Sequence, residues 1–116
     1  MPLVSRLFRD NRQLQDCLIR DSAHVTLGTR GQHVALIQYA VLALNGGRIA
    51  GSEISGRLYG PTTAATVHAY KVRRKVINLA YQATADKIVG RMTIAALDAE
   101  MALLELAELA APKLYR

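Results

Sequence analysis

The sequence predicts an all-α protein, and three observations lead there. A ten-residue stretch, Leu58-Tyr59-Gly60-Pro61-Thr62-Thr63-Ala64-Ala65-Thr66-Val67, recurs thirty residues later as Ile88-Val89-Gly90-Arg91-Met92-Thr93-Ile94-Ala95-Ala96-Leu97, and an internal repeat constrains a fold more than any single motif can. Val34, Ile37, Val41 and Leu44, and again Ile94, Leu97, Met101 and Leu104, fall at i, i+3, i+7 and i+10, the spacing of one helix face. Finally, 116 residues of which 51% are apolar make one domain with a core that needs no staples.

In chain order, residues 5–21 read as a first amphipathic helix carrying Leu7, Leu14, Cys17 and Leu18, with Asp10 as a cap midway. Residues 22–31 are turn-like, ending in Gly28-Thr29-Arg30-Gly31. The helix of Val34–Leu44 stops at Asn45-Gly46-Gly47, residues that accept the left-handed conformation. Beside its core stripe lies Gln38, read either as a buried amide bridging backbone groups or as a half-exposed helix former. The run 48–57 reads as a loop. In each repeat an apolar pair leads into a glycine turn, and Thr63 and Thr93 stand where a hydroxyl caps a helix. Pro61 suits a first helical turn, and the helix it opens runs to about Lys75, where Lys71, Arg73, Arg74 and Lys75 favour the negative end of the dipole. Residues 76–81 are apolar and fit either a helix or an extended connector. From Thr93 a long helix follows, whose Leu103, Leu106 and Leu109 broaden its apolar face beyond what a small bundle needs, until Pro112 ends it.

Arg30-Gly31, Val34, Ile37-Gln38 and Val41, then Tyr59, Gly60, Thr63, Val67 and Tyr70, then Asp86, Val89, Gly90, Thr93 and Leu97 together resemble the peptidoglycan-binding domain family of small helical bundles. The resemblance covers about residues 25–100. It implies a three-helix-bundle core, here with an extra N-terminal helix (1–22) before a domain at 23–110 and a tail at 111–116. The chain departs from the family at its first Asp-Gly, which is Gly56-Arg57, at its second, Asp86-Lys87, and at Thr66 and Lys71, where Ala and Gln are usual.

The net charge of +6 is unevenly spread. Residues 1–55 carry six Arg against four acids, 56–92 carry seven Lys or Arg against one, and 93–116 carry two against four. A basic excess on the second motif favours anionic polymers such as stem-peptide carboxylates, wall phosphates or nucleic acid. Aromatic residues are 5% with no Trp, a small platform for stacking sugars. A single cysteine, Cys17, excludes an intrachain disulfide and predicts a small buried packer. Residues 1–21 alternate charged and apolar residues and lack the uninterrupted apolar run of a cleaved leader, and no stretch is long enough to span a bilayer.

Catalysis is not expected. Asp98, Glu100, Glu105 and Glu108 share one helix and read as a solvated face, without the pairing that glycoside hydrolysis needs. His24, His33 and His68 lack metal-ligand spacing, so neither metal nor cofactor is expected. For ligand contact the candidates surround the two turns. Tyr59 and Tyr70 offer ring faces, Arg57 and Arg91 offer bidentate contact to carboxylate or phosphate, and Thr62 offers a hydrogen bond; a core role competes for both tyrosines.

The resemblance implies a non-catalytic module that binds peptidoglycan and tethers a fused or associated cell-wall hydrolase, secretion component or secreted effector at the wall. Its site of action would be the periplasm or cell wall, reached by a route without a cleaved leader. Two alternatives stand beside it: a protein–protein adaptor using the C-terminal Leu-rich helix, and a basic nucleic-acid binder, disfavoured because no helix carries base-reading residues.

Overall fold

A computed structural model describes residues 2–76 and 86–110. Among these the chain is all-α, with helices α1 (Arg12–Ile19), α2 (Gln32–Asn45), α3 (Gly51–Gly56), α4 (Pro61–Arg74) and α5 (Arg91–Ala110), and a single 3-10 turn at Asp21–Ala23. No strand occurs among the described residues, only two isolated antiparallel bridges, Val25 with Val89 and Arg30 with Leu58. The expectations for residues 77–81, for 82–85 and for Pro112 and the tail lie outside the described residues.

The N-terminal segment and helices α2, α4 and α5 share one core. Leu3, Phe8, Leu14 and Cys17 from the N-terminal segment join Val34, Ile37 and Val41 of α2, Val67 and Tyr70 of α4, and Ile94, Leu97 and Met101 of α5. The stripe expected on α2 and that expected on α5 are therefore inward, with Leu44 and Leu104 at their half-buried ends. Cys17 is fully buried and donates its thiol to the Val89 carbonyl at 3.3 Å. Burial pushes that thiol up to about 11, which keeps it protonated and inert.

The first helix is shorter than its apolar pattern suggests. α1 starts at Arg12, capped by the Asn11 side chain, which accepts from Leu14 N at 3.0 Å; Asp10 plays no such part. Residues 5–10 are turns instead, closed by Arg9 N on Ser5 O and held at their entry by α5. Asp98 accepts from Val4 N and from Ser5 N, the latter at 2.8 Å, and Glu105 accepts from Arg6 N at 2.7 Å and Leu7 N at 3.0 Å. Two carboxylates seven residues apart on one helix face thus hold four consecutive amides. The solvated face expected of these acids holds for Glu108 and is corrected for the others: Asp98 is buried, Glu105 holds two amides, and Glu100 pairs with Arg74 at 2.9 Å and accepts from the Tyr70 hydroxyl.

Substituting Asp98 by alanine is expected to cost about 2 kcal/mol, since two amides lose a charged acceptor, one of them buried. Hydrogen exchange at Val4 and Ser5 checks it. Protection there unchanged in the variant would mean that apolar packing alone docks the segment.

The run 48–57 is not simply a loop. It contains α3, whose first turn closes when Glu53 N and Ile54 N donate to Ala50 O, and which ends where Arg57 adopts φ 50°. Ala50 N is in turn held by the Thr62 hydroxyl at 2.8 Å. α3 brings Glu53 over the start of α4, where its carboxylate accepts from Thr62 N at 3.0 Å and Thr63 N at 2.8 Å. Glu53 is therefore the cap expected of Thr63. The Thr63 hydroxyl donates to Glu53 Oε1 at 2.7 Å and accepts from Gln38 Nε2 at 3.0 Å.

Candidate functional site

The repeat seen in the sequence is a repeat of construction. In the first turn Tyr59 N donates to Thr29 O and Tyr59 O accepts from Gly28 N; in the second, Val89 and Val25 exchange both bonds at 3.0 Å. Both helices then open alike, with Ala64 N bonded to Gly60 O and Ile94 N to Gly90 O, each at 2.9 Å. A polar side chain from an earlier helix, α2 for the first turn and α4 for the second, pins each turn from behind. Gln38 Nε2 donates to Leu58 O at 3.1 Å, and Lys71 Nζ donates to Ile88 O at 2.8 Å. Gln38 is thus the buried bridging amide, although it bridges another element and not its own helix.

In each turn the missing Cβ leaves room for a neighbouring side chain, most tightly in the first. A Cβ on Gly60 would lie 2.6 Å from the Glu53 carboxyl carbon, and one on Gly90 would lie 3.1 Å from the His24 ring. The two turns differ in what occupies that place. Glu53 delivers an anion to the first N–H groups of α4, whereas His24 delivers an imidazole, and among the described residues no side chain accepts from the first N–H groups of α5.

At this second turn the surface opens into a cleft of about 420 Å³, lined by Asp21, His24, Lys71, Val76, Asp86, Ile88, Gly90, Arg91, Met92 and Thr93. Arg91 is exposed and reaches Asp21 at 3.0 Å, a surface pair of the weak and exchangeable kind. Lys71 is buried and bonds the Asp86 carboxylate. His24 Nε2 is buried without a hydrogen bond, 3.5 Å from Asp21 Oδ1. Two cations, an imidazole and the positive end of the α5 dipole therefore converge on one opening. Chemically the arrangement can seat a carboxylate or phosphate oxygen. Among the described residues no three His, Cys, Asp or Glu side chains are grouped to hold a metal ion, and no helix is long and apolar enough to cross a membrane.

Of the residues expected to touch a ligand, Arg91 alone lines this cleft. Tyr59 and Tyr70 are corrected: both rings are fully buried and present no face to solvent. The Tyr59 hydroxyl spans the two turns by donating to Lys87 O, and burial first, then the Asp86 charge, pushes its pKa up. Tyr70 is raised by burial and by Glu100, and Arg74 lies 4.9 Å over its ring. Thr62 is half-buried; its hydroxyl accepts from Ala50 N and its carbonyl accepts from the Thr66 hydroxyl, each at 2.8 Å. Arg57 is exposed at the first turn, away from the cleft lining.

Sequence reasoning missed Lys71, His24 and Asp86 as a group. A signal was present: Lys71 stands where the wall-binding pattern that the sequence resembles has Gln, and the structure pairs it with Asp86, a residue that fits that pattern. Comparison with protein-family models, curated proteins and solved structures returns no match.

Proposed function

We propose that this chain is a non-catalytic peptidoglycan-binding module, which brings an attached or associated hydrolase or secreted effector to the bacterial wall, and that it grips the wall by a stem-peptide carboxylate seated in the α5 cleft. One observation carries the reading. The first turn supplies its own carboxylate, Glu53, to the start of a helix, whereas the second holds the His24 ring in the equivalent place, beside a cleft lined by Arg91 and Lys71. An incoming carboxylate would approach the α5 amides beside the His24 ring and exchange with Asp21 for Arg91. Asp21 and Asp86 on the same walls suit the ammonium groups that wall peptides also carry. The sequence resemblance to wall-binding bundles supports the same ligand class.

Co-sedimentation with insoluble sacculi, against a neutral insoluble polysaccharide, tests this. Retention is expected at physiological salt, with a loss of about tenfold in affinity for Arg91→Ala, the size of one charge-assisted contact, and little change for Arg57→Ala. Equal retention of wild type and Arg91→Ala would remove the cleft from the account. Retention abolished by physiological salt in the wild type would reduce the interaction to unspecific basic charge.

A further inference from the structure

α5 carries a second apolar face, turned away from the core and running its full length. Met92, Ala95, Ala99, Ala102, Leu106 and Leu109 follow at spacings of 3, 4, 3, 4 and 3 residues. That is the a/d spacing that keeps a seam facing a partner helix. Met92 is 48% exposed, Leu106 62% and Leu109 69%, with Leu103, at 67%, widening the stripe. Ala95 and Ala99 are exposed and Ala102 half-buried. The core face of the same helix, through Ile94, Leu97 and Met101, is a separate stripe already filled. A continuous apolar seam of this kind in water marks an interaction surface.

We propose that the seam pairs with that of a second copy of this chain, antiparallel, about a two-fold axis. The gradation of side-chain size selects this occupant. Small residues fill the N-terminal half and leucines the C-terminal half, so an antiparallel pair centred between Ala99 and Ala102 sets Leu106 of one copy on Ala95 of the other, Leu109 on Met92, and Ala99 on Ala102. Leu106 meets an alanine and Leu109 the unbranched, adaptable Met92, so no leucine faces a leucine. A parallel pair would set leucine on leucine at one end and leave alanines facing a gap at the other.

Charge points the same way. Arg91 opens α5 and Glu108 stands near its end, so antiparallel pairing brings the basic end of one helix alongside the acidic end of the other and sets the helix dipoles head to tail. The two-fold arrangement is closed and does not propagate into filaments. A single helix of about 30 Å buries less than the roughly 800 Å² per partner of a standard interface. The dimer is therefore weak and concentration-dependent.

Sedimentation of the full chain from micromolar to millimolar concentration tests the proposal. The mass is expected to rise from one chain toward two, and Leu106→Lys is expected to remain a monomer with an unchanged helical spectrum and melting temperature, because Leu106 lies outside the core. A spin label on Glu108→Cys then reads the orientation, with buried Cys17 too unreactive to compete for it. Antiparallel pairing separates the labels by more than about 20 Å along the helix axes. A wild type that stays monomeric throughout, a Leu106→Lys variant that still dimerises, or labels at short distance would each overturn the proposal. So would a monomer that uses Leu106 only to bind a different protein. Leu106 lies outside the cleft lining, so Leu106→Lys reads pairing without altering the proposed wall contact at Arg91.

Discussion

Replacing Glu53 by alanine is expected to destabilise the fold by about 3 kcal/mol, the combined loss of a helix cap and of charge-assisted hydrogen bonds in a buried place. The carboxylate is only 5% exposed, and three donors converge on it, from Thr62 N, Thr63 N and the Thr63 hydroxyl. Alanine leaves all three without their acceptor and opens space above Gly60. Glutamine keeps the volume but turns an NH₂ toward N–H donors, so its cost should fall between wild type and alanine. The same contacts set a pH dependence. Burial by itself would raise the Glu53 pKa, but the hydrogen bonds from Thr62 and Thr63 outweigh it and hold the group at about 2, against 4.5 when free. The folded value lies below the unfolded one. The contribution is therefore complete above about pH 4.5 and is lost as pH falls toward about 2. Urea unfolding at about pH 6 and about pH 3 should show the gap between wild type and Glu53→Ala narrowing at the lower pH. A gap that stays constant would mean that Glu53 acts through packing and not through charge.

What was legible in the sequence was whatever local pattern controls. The thirty-residue repeat fixed both turns, the i, i+3, i+7, i+10 stripes fixed the core faces of α2 and α5, and Asn45-Gly46-Gly47 ended α2, where Gly46 and Gly47 take φ 71° and 99°. What was not legible depends on partners far along the chain. Asp98 and Glu105 read as surface acids because the amides they hold are more than ninety residues away. α3 was missed because its six residues carry no stripe, only Glu53, whose role appears when α4 is placed beside it. Of the candidate site, Arg91 was found from its place in the repeat. His24 and Lys71 were not, since their convergence comes from the Val25–Val89 bridge and from the depth at which α4 buries Lys71.

Lys71 separates fold from binding. It is 4% exposed, and its ammonium is bonded to the Asp86 carboxylate and to Ile88 O at 2.8 Å. Lys71→Ala should cost about 3 kcal/mol, because removing one partner of a buried pair strands the other groups. Asp86 keeps its bond from Ile88 N at 3.1 Å and is itself more than a third exposed, which holds the loss to the lower end of that class. Lys71→Gln should be milder, since Gln38 makes the equivalent bond to Leu58 O in the first turn with an amide. Thermal melts of the two variants decide this: a glutamine as harmful as alanine would show that the charge, and not the bridging bond, holds the second turn. If glutamine does preserve the fold, it leaves the cleft with its shape but one cation fewer. Retention on sacculi should then fall although stability does not. A Lys71→Gln protein that melts near wild type and binds as well would confine Lys71 to holding the turn and leave Arg91 and the α5 amides to carry the ligand.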